Sequence, residues 1–233
     1  MIFGLFAFDW TILLVLPGFF FALWAQFKVQ STYKKYSSHP TKRRMTGEMA
    51  ARRILDSNGL HHIRIEHIHG ELTDHYDPKA GVIRLSDAVY NSMSAAAIGV
   101  AAHEAGHAVQ YAKGYFPMKI RSAIIPVTKF GSILAMPLFI IGLIMASDYL
   151  MLFGIILYAS VALFQLATLP VEFNASSRAM NVLSTSGMLD EDEQKAAKSV
   201  LSAAALTYVA ALATSLLTLL RLLLLMNGGR RRR

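Results

Sequence analysis

The sequence predicts an α-helical multi-pass membrane protein that carries a small cytoplasmic α+β region. Several apolar runs are long enough to cross a bilayer, which takes about 20 residues. Of the 233 residues, 54% are hydrophobic, and a polar region separates the first apolar run from the others. We expect an N-terminal anchor, a polar α+β region, a membrane hairpin, a helical segment, and a last span with a basic tail. Their predicted bounds are 1–27, 28–122, 123–169, 170–202 and 203–233.

The composition limits the function classes. The chain has no cysteine, which excludes disulfides and thiolate zinc sites. The formal charge of +8 is compatible with nucleic-acid binding, but no nucleic-acid motif is present. In so apolar a chain, basic residues beside apolar runs more often reflect membrane orientation and contact with anionic lipid. We therefore expect a lipid bilayer, and no nucleic acid, as a partner.

The first apolar run sets the predicted orientation. A cleaved signal peptide is the alternative, but the run starts without Lys or Arg and no small-x-small cleavage site follows. Trp10 and Trp24 suit the ends of an uncleaved span. By the positive-inside rule, the basic residues behind it place the N-terminus outside and the polar region in the cytoplasm. These residues are Lys28, Lys34, Lys35, Lys42, Arg43, Arg44, Arg52 and Arg53.

The polar region predicts a helix followed by a small sheet. Residues 48–55 suggest the helix, with Thr46 or Ser38 as its cap and Gly59 at its end. Alternation with period two predicts a strand at 63–68, and two further strands at 72–77 and 82–86 are joined by the turn residues 78–81. The sheet edge could hold an extended peptide. The alternative is a covering hairpin without a ligand.

One short stretch carries the chemistry, His103-Glu104-Ala105-Gly106-His107. On a helix, residues four apart share a face, and the alanine-rich residues 95–102 before it favour a helix that stops near Gly114. Two imidazoles so placed can hold one Zn2+ ion, and Glu104 can act as general base on water. The alternative is two histidines on a helix surface without a metal.

A membrane hairpin predicts the third ligand. The apolar runs 130–147 and 149–169 are separated by a short polar break, and Pro170 is expected to close the second. A hairpin returns the chain to the side that it left, so Glu172 can reach the same interface as the two histidines. Catalytic zinc sites usually have three protein ligands and water. We therefore expect His103, His107 and Glu172 to hold the ion.

Further site residues are expected in the small sheet and beyond the hairpin. A cationic or neutral donor must stabilise the tetrahedral oxyanion, and His75, Tyr76 and Arg178 are the candidates. His75 with Asp77 is the pair most suited to an active-site role. Tyr76, Asp77 and Arg84 are the candidates for substrate binding.

Other histidines in the polar region raise the question of a second metal site. His67 and His69 share one strand face, but no carboxylate partner is evident. Surface or locally hydrogen-bonded histidines are therefore the expectation, and one ion is predicted for the whole chain. The histidines concerned are His61, His62, His67, His69 and His75.

The last apolar run, 203–226, is long enough to span but contains Arg221. Crossing would put the terminal arginines outside, against the positive-inside rule. A fourth span is the preferred prediction. A re-entrant hairpin and packing at the interface with Arg221 snorkelling are the alternatives. Asp190 to Glu193 are expected to form a solvated acidic start of the preceding helix.

These residues resemble a known family. The motif at 103–107, followed by Leu169-Pro170-Val171-Glu172-Phe173-Asn174-Ala175-Ser176-Ser177-Arg178-Ala179, is similar to the YugP family of membrane zinc metallopeptidases, and 72–86 match it too. The resemblance implies a zincin-like domain. More distantly the chain is similar to the HtpX and Ste24 membrane proteases, in which a Glu-aromatic-x-Ala-Asp segment supplies a ligand and a supporting acid. Ser176 replaces that acid here, so Asn174, Ser176 or Arg178 are candidates for supporting a ligand histidine.

The expected function is that of a zinc metalloendopeptidase with one Zn2+ ion and Glu104 as general base. Its substrates are expected to be membrane or membrane-proximal proteins, cut at the cytoplasmic face. The alternative is a non-catalytic, zinc-stabilised membrane scaffold or partner-binding protein. A transport accessory fits less well, because the spans lack the intramembrane carboxylates that ion pathways usually need. The sequence makes no prediction of oligomeric state.

Overall fold

The computed structural model describes residues 10–230, with side chains to residue 228. The predictions for residues 1–9 of the anchor and for the end of the basic tail, 231–233, lie outside the described residues. A 3₁₀ turn at Trp10–Leu14 precedes helices and strands that follow one another along the chain. In order they are α1 (Leu16–Ser37), α2 (Gly47–Ser57), β1 (Arg64–Ile68), β2 (His75–Asp77), β3 (Val82–Ser86), α3 (Ala95–Ala112), α4 (Phe116–Ile144), α5 (Asp148–Thr185) and α6 (Glu191–Arg230).

Four helical segments of the described chain are long and apolar enough to cross a membrane. Large apolar side chains on them are exposed, among them Phe20 at 61% and Phe130 at 66%. Contact of such surface with water is unfavourable, by about 25 cal/mol per Å2, whereas lipid solvates it. The prediction of a mostly helical chain with four candidate spans is thus confirmed. The segments are Trp10–Ser37, Phe116–Ile144, Asp148–Thr185 and Glu191–Gly228.

The last apolar run is one unbroken helix within α6. The alternative of a re-entrant hairpin is therefore wrong. The residues before it behave as predicted at the helix start, because the Asp190 and Glu193 side chains each accept a hydrogen bond from the other's backbone N–H, both at 2.9 Å. Glu191 and Asp192 are exposed, as expected, whereas Asp190 is half-buried and pairs with Lys42, whose Nζ lies 2.7 Å from Asp190 Oδ2.

The residues cluster into two compact units. The first, here called the helical unit, comprises the described residues of 1–24 and 207–233 together with 120–168. Its small core holds Phe139 and Met151, and a Cβ added at Gly154 would lie 2.8 Å from the Ala135 carbonyl oxygen. Such close helix contacts at small residues are typical of packing in lipid, where no hydrophobic effect drives helices together.

The second, here called the mixed unit, comprises residues 25–119 and 169–206 and contains the sheet. The strand order is β1-β3-β2, with β2 antiparallel and β1 parallel to β3. The predicted hairpin of β2 and β3 is therefore confirmed. The central strand β3 is almost wholly buried, and α3 packs against α2 and the sheet over a core that includes Ile54, Leu85 and Ile98.

Helix α5 does not end at Pro170, where the second apolar run was expected to close; it continues to Thr185. A proline removes one backbone hydrogen bond from a helix and usually kinks or ends it. Here the continuation buries Val171, Ala175 and Ala179, which are spaced by one turn and at most 1% exposed. Burial of this face offsets the lost hydrogen bond and keeps Glu172 on a continuous helix.

Candidate metal centre

Three potential zinc ligands meet in the mixed unit. Helix α3 begins where the Ser94 hydroxyl accepts the Ala97 N–H at 3.2 Å, and its spacing brings the His103 and His107 rings to 4.6 Å between centroids. From α5, Glu172 Oε2 lies 3.2 Å from His103 Nε2 and 3.5 Å from His107 Nε2. One ligand atom from each side chain therefore falls within 4.8 Å of the others.

The donor set and spacing fit a zinc ion. Two atoms that are each about 2.0–2.1 Å from a tetrahedral zinc lie about 3.3 Å apart. The carboxylate-to-imidazole distances of 3.2 and 3.5 Å bracket that value. Within residues 10–230, no other group of three His, Asp or Glu side chains meets the same spacing.

The close approach of α3 and α5 depends on Gly106. A Cβ at this position would lie 2.9 Å from the Ala175 carbonyl oxygen, which is closer than real Cβ contacts. Gly106 lies between the two histidines on α3, and Ala175 follows Glu172 by less than one turn on α5. The missing side chain thus allows the backbone of α5 to approach the turn that carries the histidines.

The outer nitrogen of His107, Nδ1, is the ring nitrogen that does not face Glu172, and it contacts a buried amide. His107 Nδ1 lies 3.0 Å from Gln110 Oε1, and Gln110 Nε2 donates to the Val171 carbonyl at 2.8 Å and to Asn174 Oδ1 at 3.0 Å. Arg178 Nε in turn donates to Asn174 Oδ1 at 2.7 Å. Gln110 is fully buried. The sequence reasoning missed it, although its position three residues after His107 places it on the same helix face.

The outer nitrogen of His103 contacts a hydroxyl. Ser176 Oγ lies 3.1 Å from His103 Nδ1. Of the three candidates for supporting a ligand histidine, Ser176 therefore contacts His103, while Asn174 and Arg178 belong to the network around His107.

Negative charge surrounds the two histidines. Burial lowers the pKa of His107, but its hydrogen bond to Glu172 and the charges of Glu104 and Glu172 outweigh burial, so its pKa is raised. Burial raises the pKa of Asp74, the charge of Glu104 adds to the rise, and hydrogen bonds from Ser86 oppose it. Glu104 is 8% exposed and forms no hydrogen bond or ion pair within the described chain. This concentration of carboxylates favours a bound cation.

The sheet residues that were expected at the site pair with one another. Arg84 Nη1 lies 3.0 Å from Asp77 Oδ2 and 3.3 Å from His75 Nε2, and Arg84 Nε lies 3.3 Å from Glu66 Oε2. The Ala80 N–H, followed by Arg84, lowers the pKa of Asp77. These contacts join β1, β2 and β3. They give His75, Asp77 and Arg84 hydrogen-bond partners within the sheet, so no ligand is needed to explain where these side chains lie.

Tyr76 is placed differently. Its ring packs edge-on against Tyr111, with 6.1 Å between centroids, and Tyr111 lies one turn beyond His107 on α3. A cleft of about 590 Å3 is lined by both tyrosines and by the turn 78–81. Tyr76 therefore contacts a side chain of the helix that carries the two motif histidines.

His67 in β1 and His69 just after it have a carboxylate partner that the sequence reasoning did not find. Asp87 Oδ1 lies 2.7 Å from His67 Nε2, and Asp87 Oδ2 lies 3.5 Å from His69 Nδ1. Asp87 also accepts the Gly70 N–H at 2.9 Å. The cluster does not meet the spacing of a three-ligand metal site.

Comparisons with known proteins agree with this centre. A family model described as "Putative neutral zinc metallopeptidase" matches residues 11–227. The "Putative membrane protease YugP" of Bacillus subtilis (strain 168) is 47% identical over 198 residues, which cover 85% of this chain and 88% of that protein. No solved structure matches the chain.

Proposed function

Because the chain belongs to the family described as putative neutral zinc metallopeptidases, we propose that it is a membrane zinc endopeptidase with a zincin-like mixed unit. One observation carries the proposal most strongly. Glu172, 65 positions after His107, contacts the facing nitrogens of both motif histidines at zinc-ligand spacing. A chance pair of surface histidines would not be met by a buried carboxylate from another helix.

In the proposed mechanism, His103, His107 and Glu172 hold the ion. Zinc, when bound, supplies Lewis acidity that activates water and polarises a peptide carbonyl. Glu104 accepts the proton of the attacking water and passes it to the leaving amine. Its carboxylate suits this role, because it has no competing hydrogen-bond donor within the described chain. Arg178 is engaged by Asn174, so Tyr76 is the preferred candidate for stabilising the oxyanion.

The proposed substrates are membrane proteins or their membrane-proximal segments, cut at the cytoplasmic face. Two features support this. Glu172 lies on the same helix as a candidate span, only four residues after the last α5 residue of the helical unit. The chain from Lys28 on, at the start of the mixed unit, carries a cluster of lysines and arginines behind the first apolar run, as cytoplasmic segments do.

The test measures zinc content and cleavage separately, with the full-length chain in liposomes and a fluorogenic membrane-anchored peptide. Glu104→Gln should keep zinc and lose cleavage by about 100-fold or more, since it removes only the proton acceptor. His103→Ala, His107→Ala and Glu172→Ala should each lose both.

Matched controls are His69→Ala, whose side chain is 97% exposed, and Glu191→Gln at the exposed start of α6. Both should behave as wild type. Cleavage by Glu104→Gln at the wild-type rate would refute the assigned base. Zinc binding by a wild type that cleaves no membrane-anchored peptide would instead favour the zinc-stabilised scaffold.

A further inference from the structure

We propose that Gln110 is a positioning residue that fixes the tautomer of His107 and ties this ring to the backbone beside Glu172. The inference rests on the proposed function for its consequence at the metal, but its geometric basis is independent. Gln110 is fully buried, and its amide spans the gap between α3 and α5. It joins one proposed ligand to the residue immediately before another.

Hydrogen-bond chemistry determines which way the Gln110 amide points. The Val171 carbonyl can only accept, so the Gln110 atom 2.8 Å away must be the amide nitrogen. The carbonyl oxygen Oε1 therefore faces His107 Nδ1 at 3.0 Å and can only accept. A neutral imidazole with its proton on Nδ1 has its lone pair on Nε2, which is the atom that faces Glu172.

A second anchor enforces the same orientation. Arg178 Nε can only donate, so the Asn174 atom 2.7 Å from it must be the oxygen Oδ1. That oxygen can accept from Gln110 Nε2 at 3.0 Å but could not pair with Gln110 Oε1. The series of hydrogen bonds from Arg178 through Asn174 and Gln110 to His107 therefore has one possible direction. The Arg178 guanidinium can only donate, and the Val171 carbonyl can only accept.

The two ligand histidines differ in this respect. The Ser176 hydroxyl beside His103 Nδ1 can donate or accept, so it accommodates either tautomer. Beside His107, Gln110 Oε1 can only accept and therefore requires a proton on Nδ1, so the neutral ring that could bind a metal through Nε2 is the Nδ1–H tautomer. Gln110 also connects His107 to the carbonyl of the residue preceding Glu172, so a shift of α5 would disturb the ring and the carboxylate together. We therefore expect Gln110 to contribute more to metal affinity than Ser176.

The experiment uses the full-length chain in detergent, with two readouts. The first is the 15N spectrum of the histidine rings in metal-free protein, with His107 assigned by its loss in His107→Ala. Wild type should hold a proton on Nδ1, either as the Nδ1–H tautomer or as the imidazolium that Glu172 favours, and Gln110→Leu should gain the neutral Nε2–H form. The second is Zn2+ affinity by competition with a chelating dye, where Gln110→Leu should bind about 10- to 100-fold more weakly.

Gln110→Glu separates positioning from packing, because its carboxylate still accepts from Nδ1–H but cannot donate to Val171. It should keep the tautomer. Gln194→Leu is the matched control, since Gln194 Nε2 also donates to a backbone carbonyl, that of Leu189, outside the metal centre. It should leave both readouts unchanged. Should Gln110→Leu not fold, Asn174→Leu removes the second anchor and should weaken zinc binding less.

A Gln110→Leu protein with the wild-type tautomer and affinity would overturn the proposal. Equal zinc losses in Gln110→Leu and Gln194→Leu would do the same, because they would indicate general destabilisation. A wild type that binds no zinc would refute the proposed function, while the tautomer of the metal-free protein would still decide whether Gln110 positions His107.

Discussion

At the scale of single residues, the smallest side chain of the motif makes the largest geometric demand. Gly106→Ala would place a Cβ 2.9 Å from the Ala175 carbonyl, so α5 must move away from α3. Overpacking of this kind costs about 1–3 kcal/mol. Because Glu172 moves with α5, we expect Gly106→Ala to lower both the thermal stability and the Zn2+ affinity of the purified protein.

The control for this substitution is Gly228→Ala, where an added Cβ meets no atom within 4 Å. It should melt and bind zinc as wild type does. If Gly106→Ala bound zinc with unchanged affinity, the close contact between α3 and α5 would not be what sets the position of Glu172.

Ser176 makes a second residue-scale prediction, since it stands where distant relatives were expected to have an acid. A carboxylate on the outer nitrogen of a ligand histidine raises the basicity of the ligand, and such partners change metal affinity by about 10- to 100-fold. Ser176→Asp should bind Zn2+ about 10-fold more tightly than wild type, and Ser176→Ala more weakly, in the same dye competition. Ser177→Asp, on the exposed neighbour, should have no effect; a similar gain there would mean that added charge alone explains the result.

The part of the site that could be predicted from the sequence followed from two features, the helical spacing of the histidines and the return of the chain through the membrane hairpin. Helical spacing alone predicted that His103 and His107 share a face, and the return of a membrane hairpin pointed to Glu172. Gln110 could not be chosen in this way, because its role depends on which atoms of α5 lie opposite α3. Asp87 could not be predicted for the same reason, because only the parallel pairing of β1 with β3 brings it to His67 and His69.

At the scale of elements, local sequence patterns predicted the individual helices and strands better than they predicted which strands pair. Alternation predicted the first strand, and the turn residues 78–81 predicted the pair that follows. Thr46, one of the two predicted caps, starts α2 by accepting the Met49 N–H at 3.2 Å. The pairing of β1 with β3 across intervening chain has no local signal. The prediction that the second apolar run closes at Pro170 was wrong. A proline alone tends to end a helix, but burial of the apolar face that follows keeps α5 continuous.

The start of α6 gives an element-scale prediction with a pH dependence. The Lys42 ammonium, together with the Glu193 N–H, holds the pKa of Asp190 below its usual value. An acid with a depressed folded-state pKa stabilises the fold above its unfolded pKa, about 3.9, and this stabilisation is lost as the pH falls through the folded-state value. Asp190→Asn retains a capping side chain but loses the charge. Its melting temperature should be below wild type at pH 7, and the difference should close below about pH 4.

Asp192→Asn provides the comparison, since this side chain is 91% exposed and pairs only with the exposed Lys195. Surface pairs of this kind contribute little, so its melting temperature should follow wild type throughout. A gap for Asp190→Asn that stayed constant down to pH 2 would show that the charge of Asp190 is not the source of its effect.

At the scale of the whole molecule, the proposed topology has an outside N-terminus, four spans and the mixed unit in the cytoplasm. The absence of cysteine makes this directly testable, because each introduced thiol is the single one in the chain. Met145 is 66% exposed between α4 and α5, the His69 side chain is 97% exposed in the mixed unit, and Asn227 is exposed near the end of α6. In intact cells, a membrane-impermeant maleimide should label Met145→Cys and Asn227→Cys, but His69→Cys only after the membrane is opened.

Position 227 discriminates best between the alternatives. The arginines at 230–233 favour the cytoplasmic side by the positive-inside rule, whereas four crossings require the outside. Labelling of His69→Cys in intact cells would put the metal centre on the outer face, and protection of Asn227→Cys beside a reactive Met145→Cys would mean that α6 does not cross.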